Sequence, residues 1–209
     1  FMYTQELAKT PKPYTYGIGG ADGMDAEINN ADFCRAVLKA EQQMDTDEFG
    51  HFKPASIWGH DRPVAMITSF IADESAKGNK HFNGIITHHT LHNPGLNYQG
   101  HTDNPFAFAR TIFSKEDVEA LSKHEDYEIL QCFSERGWNN LKEGEKKRVR
   151  KILDPYIGIF KDFFETYNIT KVPIIAKKLN PDNFSIGTVS PNFDKEMKAT
   201  DMDVAQGIG

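Results

Sequence analysis

Imidazole is the side chain best suited to proton and metal chemistry near neutral pH. Five of the eight histidines in this chain fall between positions 81 and 101: His81, His88, His89, His92 and His101, with Asp103 close behind. Side chains on a strand alternate between faces, so His88 and His92 would share one face. Together with His101 and Asp103 they make a candidate set for a divalent metal, since two imidazoles and a carboxylate suit a non-haem iron or similar ion. Alternatively His88 or His89 acts as a base that takes a proton from an amine. The plainer possibility is that histidines on a half-buried strand hydrogen-bond or face water.

Other features carry weaker chemistry. Gly17-Ile18-Gly19-Gly20-Ala21 is glycine-rich, but it follows no strand pattern and lacks a lysine after it, so it is not read as a phosphate loop. Cys34 and Cys132 sit among apolar neighbours and read as reduced, small hydrophobes. The basic run 146–151 lies in a helical pattern and reads as a solvated face. Trp58 and Trp138 stand next to turns and read as packing anchors.

The elements that would position these residues follow from periodicity. Residues 1–30 are rich in Gly and Pro and read as an extended arm. A short amphipathic helix follows over 32–44. Segments 52–58, 64–72 and 82–92 read as strands joined by short connections, which predicts an antiparallel meander. Ser114 and Asp117 form a capping box, and 127–133 reads as a fourth strand. A long helix is expected over 143–167, kinked at Pro155. Segment 172–179 reads as a fifth strand, and 184–189 as part of a hairpin after the turn at 180–183. The expected fold is α/β (α+β): one domain over 31–190, a central and mostly antiparallel sheet flanked by helices, and a polar tail over 191–209.

This order of elements resembles the GNAT acyltransferase superfamily over residues 32–189. Tyr98-Gln99-Gly100 is similar to the start of that family's glycine-rich motif, and 160–179 is similar to its last helix and strand. The resemblance implies an acyl-CoA-dependent transferase acting on an amine of a small molecule or protein. Acetyl-CoA or another acyl-CoA would lie against Tyr98, Gln99, Gly100 and His101, its pyrophosphate held by backbone amides at a helix N-terminus. His88 or His89 would be the base and Tyr167 the acid.

Rival resemblances lead to a metal-dependent enzyme. His101-Thr102-Asp103 is similar to the H-x-D element of iron and 2-oxoglutarate oxygenases, and His88-His89 with Asn104 to HNH nucleases. His88-x-Thr90-Leu91 resembles half of a two-histidine phosphoesterase, without a second copy. A third possibility is a non-enzymatic interaction or viral protein, whose arm and tail would order on a partner.

Composition narrows the classes. The chain has 209 residues, 39% of them hydrophobic, and a formal net charge of −6. That is ordinary globular composition, and the acidic balance argues against broad nucleic-acid binding. No apolar run approaches the roughly 18 residues of a membrane helix. No apolar leader follows Phe1-Met2-Tyr3, so a cytoplasmic location is expected.

Overall fold

The computed structural model describes residues 21–92, 99–113, 135–162 and 165–198. Among these, three strands form one sheet in the order β1 (Ser56–His60), β2 (Ile86–Leu91), β5 (Phe184–Thr188). All its pairings are parallel, with Trp58 opposite His88 and His88 opposite Ser185. The mostly antiparallel sheet expected from sequence is therefore corrected to a parallel one. Parallel neighbours need a crossover rather than a hairpin, and the chain supplies it with a helix, α2 (Met66–Ala76), between β1 and β2.

That helix is the segment 64–72 read above as a strand. A short, continuously apolar run cannot be assigned by periodicity alone. Local chemistry favours the helix. Pro63 occupies its lead-in turn, Arg62–Val64, and Gly78 stops it with φ 82. Met66, Ile67, Phe70 and Ile71 are buried at helical spacing. The second correction is α6 (Lys171–Leu179), also read as a strand. Val172, Ile174 and Ile175 suggested one, but Pro173 donates no ladder bond and suits a first helical turn. Segment 184–189 is likewise not a hairpin arm, since β5 pairs with β2 in parallel.

The remaining boundaries also shift. Helix α1 spans Ala21–Gln43, so the helix reaches into the expected arm. Helix α5 (Glu143–Ile157) runs through Pro155 and gives way to a single 3-10 turn, Gly158–Phe160, well short of 167. Helix α7 (Pro191–Lys198) occupies the start of the expected tail. The capping box at Ser114 and the strand at 127–133 lie outside the described residues. A second, two-stranded antiparallel sheet joins β3 (His101–Thr102) to β4 (Tyr167–Asn168). Among the described residues no helix is long and apolar enough to cross a membrane.

The core lies between one face of the parallel sheet and the helices. Its centre is α3 (Pro105–Ile112), buried along most of its length. Asn104 caps α3, its side-chain oxygen accepting from the Phe106 and Ala107 amides. Phe108 stacks on Tyr167 with centroids 5.3 Å apart and meets Phe160 at 5.5 Å. Trp138, from α4 (Glu135–Asn140), is fully buried, with Lys146 and Arg150 over its ring. Two residues of the basic run thus have a packing role. Cys34 is buried too, its thiol pushed up to about 12 chiefly by that burial.

Two ionic ties hold α1 in place. Near its start, Glu27 Oε1 forms an ion pair with Arg62 Nε at 2.9 Å, with both side chains almost fully buried. Burial pushes the Glu27 carboxyl up, and the Arg62 guanidinium and Asn30 amide oppose that push. Near its end, Glu41 and Asp45 bracket the His81 ring, at 2.7 Å from Nε2 and 2.8 Å from Nδ1. Burial pulls the His81 pKa down, but the two carboxylates outweigh it and the net direction is up. The bond to His81 in turn holds the Asp45 carboxyl below its usual range.

Two stability predictions follow from these ties. Replacing Arg62 by Met strands a buried carboxylate and is expected to cost about 3–5 kcal/mol; adding Glu27→Gln should recover much of it in denaturant titrations. The His81 contribution is fully present below about pH 6.5, the ordinary imidazole value, and is lost as pH rises through the raised one. The Asp45 contribution is present above the carboxylate range and is lost as pH falls through its lowered value. Wild type should therefore lose stability relative to His81→Gln as pH rises from 6.5 to 9, and parallel curves would refute the tie.

Candidate functional site

In open parallel α/β sheets, ligands lie at the carboxyl ends of the strands. Here that edge carries His60, Asp61 and His92. Strand β1 ends at His60, and His60 Nδ1 lies 3.1 Å from His92 Nε2, so one ring donates to the other. Asp61 locks the turn: its amide donates to the Thr90 carbonyl at 2.8 Å, and its Oδ1 accepts from the His92 amide at 3.1 Å. Its backbone sits at φ 63 and ψ −177, a region that is essentially glycine's own. Strain of about 1–3 kcal/mol at such a residue is commonest at functional sites. Neither His60 nor Asp61 stood out in sequence, where both fall in the short connection between the segments 52–58 and 64–72. The available signal was the passage from strand to helix through a tight turn, the place where α/β sheets bind ligands.

The residues singled out from sequence are scattered. His88 and His89 point to opposite faces of β2. His88 is half-buried, its Nδ1 2.7 Å from Ser185 Oγ. His89 is fully buried beside Gly59, where a Cβ would stand 2.9 Å from Nδ1. Neither ring nitrogen of His89 has a hydrogen-bond partner among the described residues. Burial, with His60, His88 and His92 nearby, lowers its pKa to about 4. His89 is thus a neutral core ring.

His101 lies on β3, away from the parallel sheet. Its Nδ1 donates to Asp162 Oδ2 at 2.6 Å, and Thr166 Oγ1 is 3.0 Å away. Asn168 joins the same network, donating to Gln99 Oε1 at 2.6 Å, and Thr170 bonds the Gln99 carbonyl. Gln99 is fully buried. Gly100, at φ 70, is wedged where a Cβ would come within 2.9 Å of Arg62 Cδ and 3.1 Å of Ile169. Tyr98 lies outside the described residues. Asp103 is on the surface, 3.9 Å from Arg150. The metal set of His88, His92, His101 and Asp103 is not assembled, and among the described residues no three His, Cys, Asp or Glu side chains are placed to hold a metal ion. Tyr167 is buried, its hydroxyl donating to Asp154; burial first, then that bond, push its pKa up.

The strain at Asp61 can be measured. Asp61→Ala removes the carboxylate and keeps the strain, whereas Asp61→Gly removes both. The glycine variant is expected to be the more stable of the two by about 1 kcal/mol, within the usual cost of such backbone. Equal stability would mean that the turn relaxes.

Comparison with known proteins overturns the acyltransferase reading. The model of the glycosyltransferase 5 family, described as the starch synthase catalytic domain, matches residues 1–144. No curated protein and no solved structure matches the chain. The resemblance to GNAT enzymes rests on an element order that reads two helices as strands, and it falls with them. Acyl-CoA falls too, because the matched family uses nucleotide-sugar donors such as ADP-glucose. With more than half of its length matched, the chain belongs to the glycosyltransferase 5 family, that of the starch synthase catalytic domain.

Proposed function

We propose that this protein transfers a glycosyl group from a nucleotide-sugar donor of the ADP-glucose kind to an acceptor hydroxyl. The family match over residues 1–144 carries the reading. In such a transfer the bond from the anomeric carbon to the diphosphate oxygen breaks. The acceptor oxygen forms the new bond, its proton is released, and the nucleoside diphosphate departs with added negative charge.

One feature of this chain suits that leaving group. The carboxyl edge of the parallel sheet presents the His60–His92 pair, whose ring N–H groups can donate to phosphate oxygens.

The test is thermal unfolding with ADP-glucose, UDP-glucose and acetyl-CoA in parallel, followed by transfer of labelled glucose from ADP-glucose to a soluble glucan. A donor at 100 times its Kd stabilises the folded state by about 2.7 kcal/mol. Stabilisation by ADP-glucose with label in the glucan is expected. His92→Ala should weaken donor binding at least fivefold while leaving the fold intact. Absence of both stabilisation and transfer with any nucleotide sugar would overturn the reading.

A further inference from the structure

Strand β2 ends at Leu91, and its pairings run to Thr90 against β1 and to Leu91 against β5. His92 stands one residue past that end, yet its ring meets His60 across 3.1 Å. An exposed side chain on backbone outside a ladder has many orientations open to it, and ordering them costs entropy. The hold on His92 comes from Asp61, whose Oδ1 accepts from the His92 amide at 3.1 Å.

We propose that Asp61 is the positioning residue of the candidate donor site: its carboxylate fixes the backbone of His92 and so keeps the His92 ring beside His60 for the diphosphate. This deepens the glycosyl-transfer reading and rests on it for the identity of the anion.

Three observations carry the assignment. First, the chain keeps a side chain where glycine would be free of strain. At φ 63 and ψ −177 any Cβ is a burden. A residue that served only to close the turn would be glycine, and the carboxylate is what glycine cannot supply. Second, the strained backbone is held from both sides. The Asp61 amide donates to the Thr90 carbonyl at 2.8 Å, which fixes the residue against β2. The next residue, Arg62, is ion-paired with buried Glu27 at 2.9 Å, and Pro63 follows it with φ set by its ring. Such backbone persists only where its surroundings over-determine it. Third, one residue governs both members of the pair. Asp61 follows His60 directly, at the end of the register that sets His60 opposite Thr90, and it reaches across to His92. The rings are thereby set with centroids 5.3 Å apart at 53°. Donors held in place before the ligand arrives need not be ordered by it, and this is how preorganisation gains affinity.

The experiment is calorimetric titration of ADP-glucose into the full chain and into Asp61→Asn, Asp61→Ala, Asp61→Gly, His92→Ala and the double variant Asp61→Ala with His92→Ala. An amide oxygen accepts as a carboxylate oxygen does, so Asp61→Asn should bind much as wild type does. Asp61→Ala and Asp61→Gly should each weaken binding about fivefold, the scale of one lost hydrogen bond, although the glycine variant is the more stable of the two. The double variant should bind no more weakly than His92→Ala alone, because a residue acting through His92 has nothing to position once that ring is gone. In parallel, nuclear magnetic resonance of the histidine-labelled chain reads the nitrogen–nitrogen coupling across the His60–His92 hydrogen bond. It should be present in wild type and Asp61→Asn and lost in Asp61→Ala and Asp61→Gly. ADP-glucose bound by Asp61→Gly as by wild type, a further loss in the double variant, or a coupling retained in Asp61→Ala would each overturn the proposal and leave the transfer reading standing. A wild type that binds no nucleotide sugar would remove the transfer reading. The coupling then decides alone: its loss in Asp61→Ala and Asp61→Gly would uphold the positioning of the pair, and its retention would overturn it.

Discussion

The ion pair between Glu27 and Arg62 joins three parts of the molecule that are distant in sequence. Glu27 belongs to α1, and Arg62 to the turn that leaves β1. The stem of Arg62 presses on Gly100, just ahead of β3. Taking two charges out of water is costly, and their attraction repays that cost only where the geometry is good. The pair therefore permits little freedom in how α1, the end of β1 and the β3 segment meet. Gly100 carries the same constraint from the other side, since both its positive φ and the space it leaves exclude a side chain.

With that junction fixed, the carboxyl edge of the sheet is held from several directions. Asp61, beside Arg62, is kept in strained backbone by its bonds to the Thr90 carbonyl and the His92 amide. Those bonds set β1 against β2 at the level where His60 meets His92. On the far side of Gly100, the buried network of Gln99, His101, Asp162, Thr166 and Asn168 ties the two-stranded sheet together. This network accounts for residues that looked like a cofactor loop in sequence. Gln99 and His101 spend their hydrogen bonds inside the protein, which is what buried polar groups must do to avoid a desolvation penalty.

Strand β2 was legible because it combines β-branched residues with a turn signal after it, and the amphipathic character of α1 and α5 was legible from their apolar stripes. Parallel pairing was not, because the decisive evidence lay in α2 and α6. Their apolar stretches are too short for periodicity to separate helix from strand. Reading both as strands leads to an antiparallel meander and the acyltransferase order. The histidine cluster failed for a different reason. Nearness in sequence along a strand sends neighbours to opposite faces, so His88 reaches Ser185 while His89 sinks into the core. The partners that matter lie far away in sequence: Asp162 for His101, Glu41 and Asp45 for His81, His60 for His92. No spacing rule in a single sequence encodes those.

The family match stops at residue 144, but the sheet does not. Strand β5 begins at Phe184 and pairs with β2 along its whole length, from Thr87 to Leu91. Without β5, β2 would be an edge strand presenting unpaired amides and carbonyls to solvent, a liability that proteins manage rather than tolerate. The same strand supplies Ser185, which fixes His88, and Gly187, which gives its ring room. Tyr167, also beyond the match, fills the core against Phe108. Residues after 144 are thus built into the sheet and the core on which the matched segment relies.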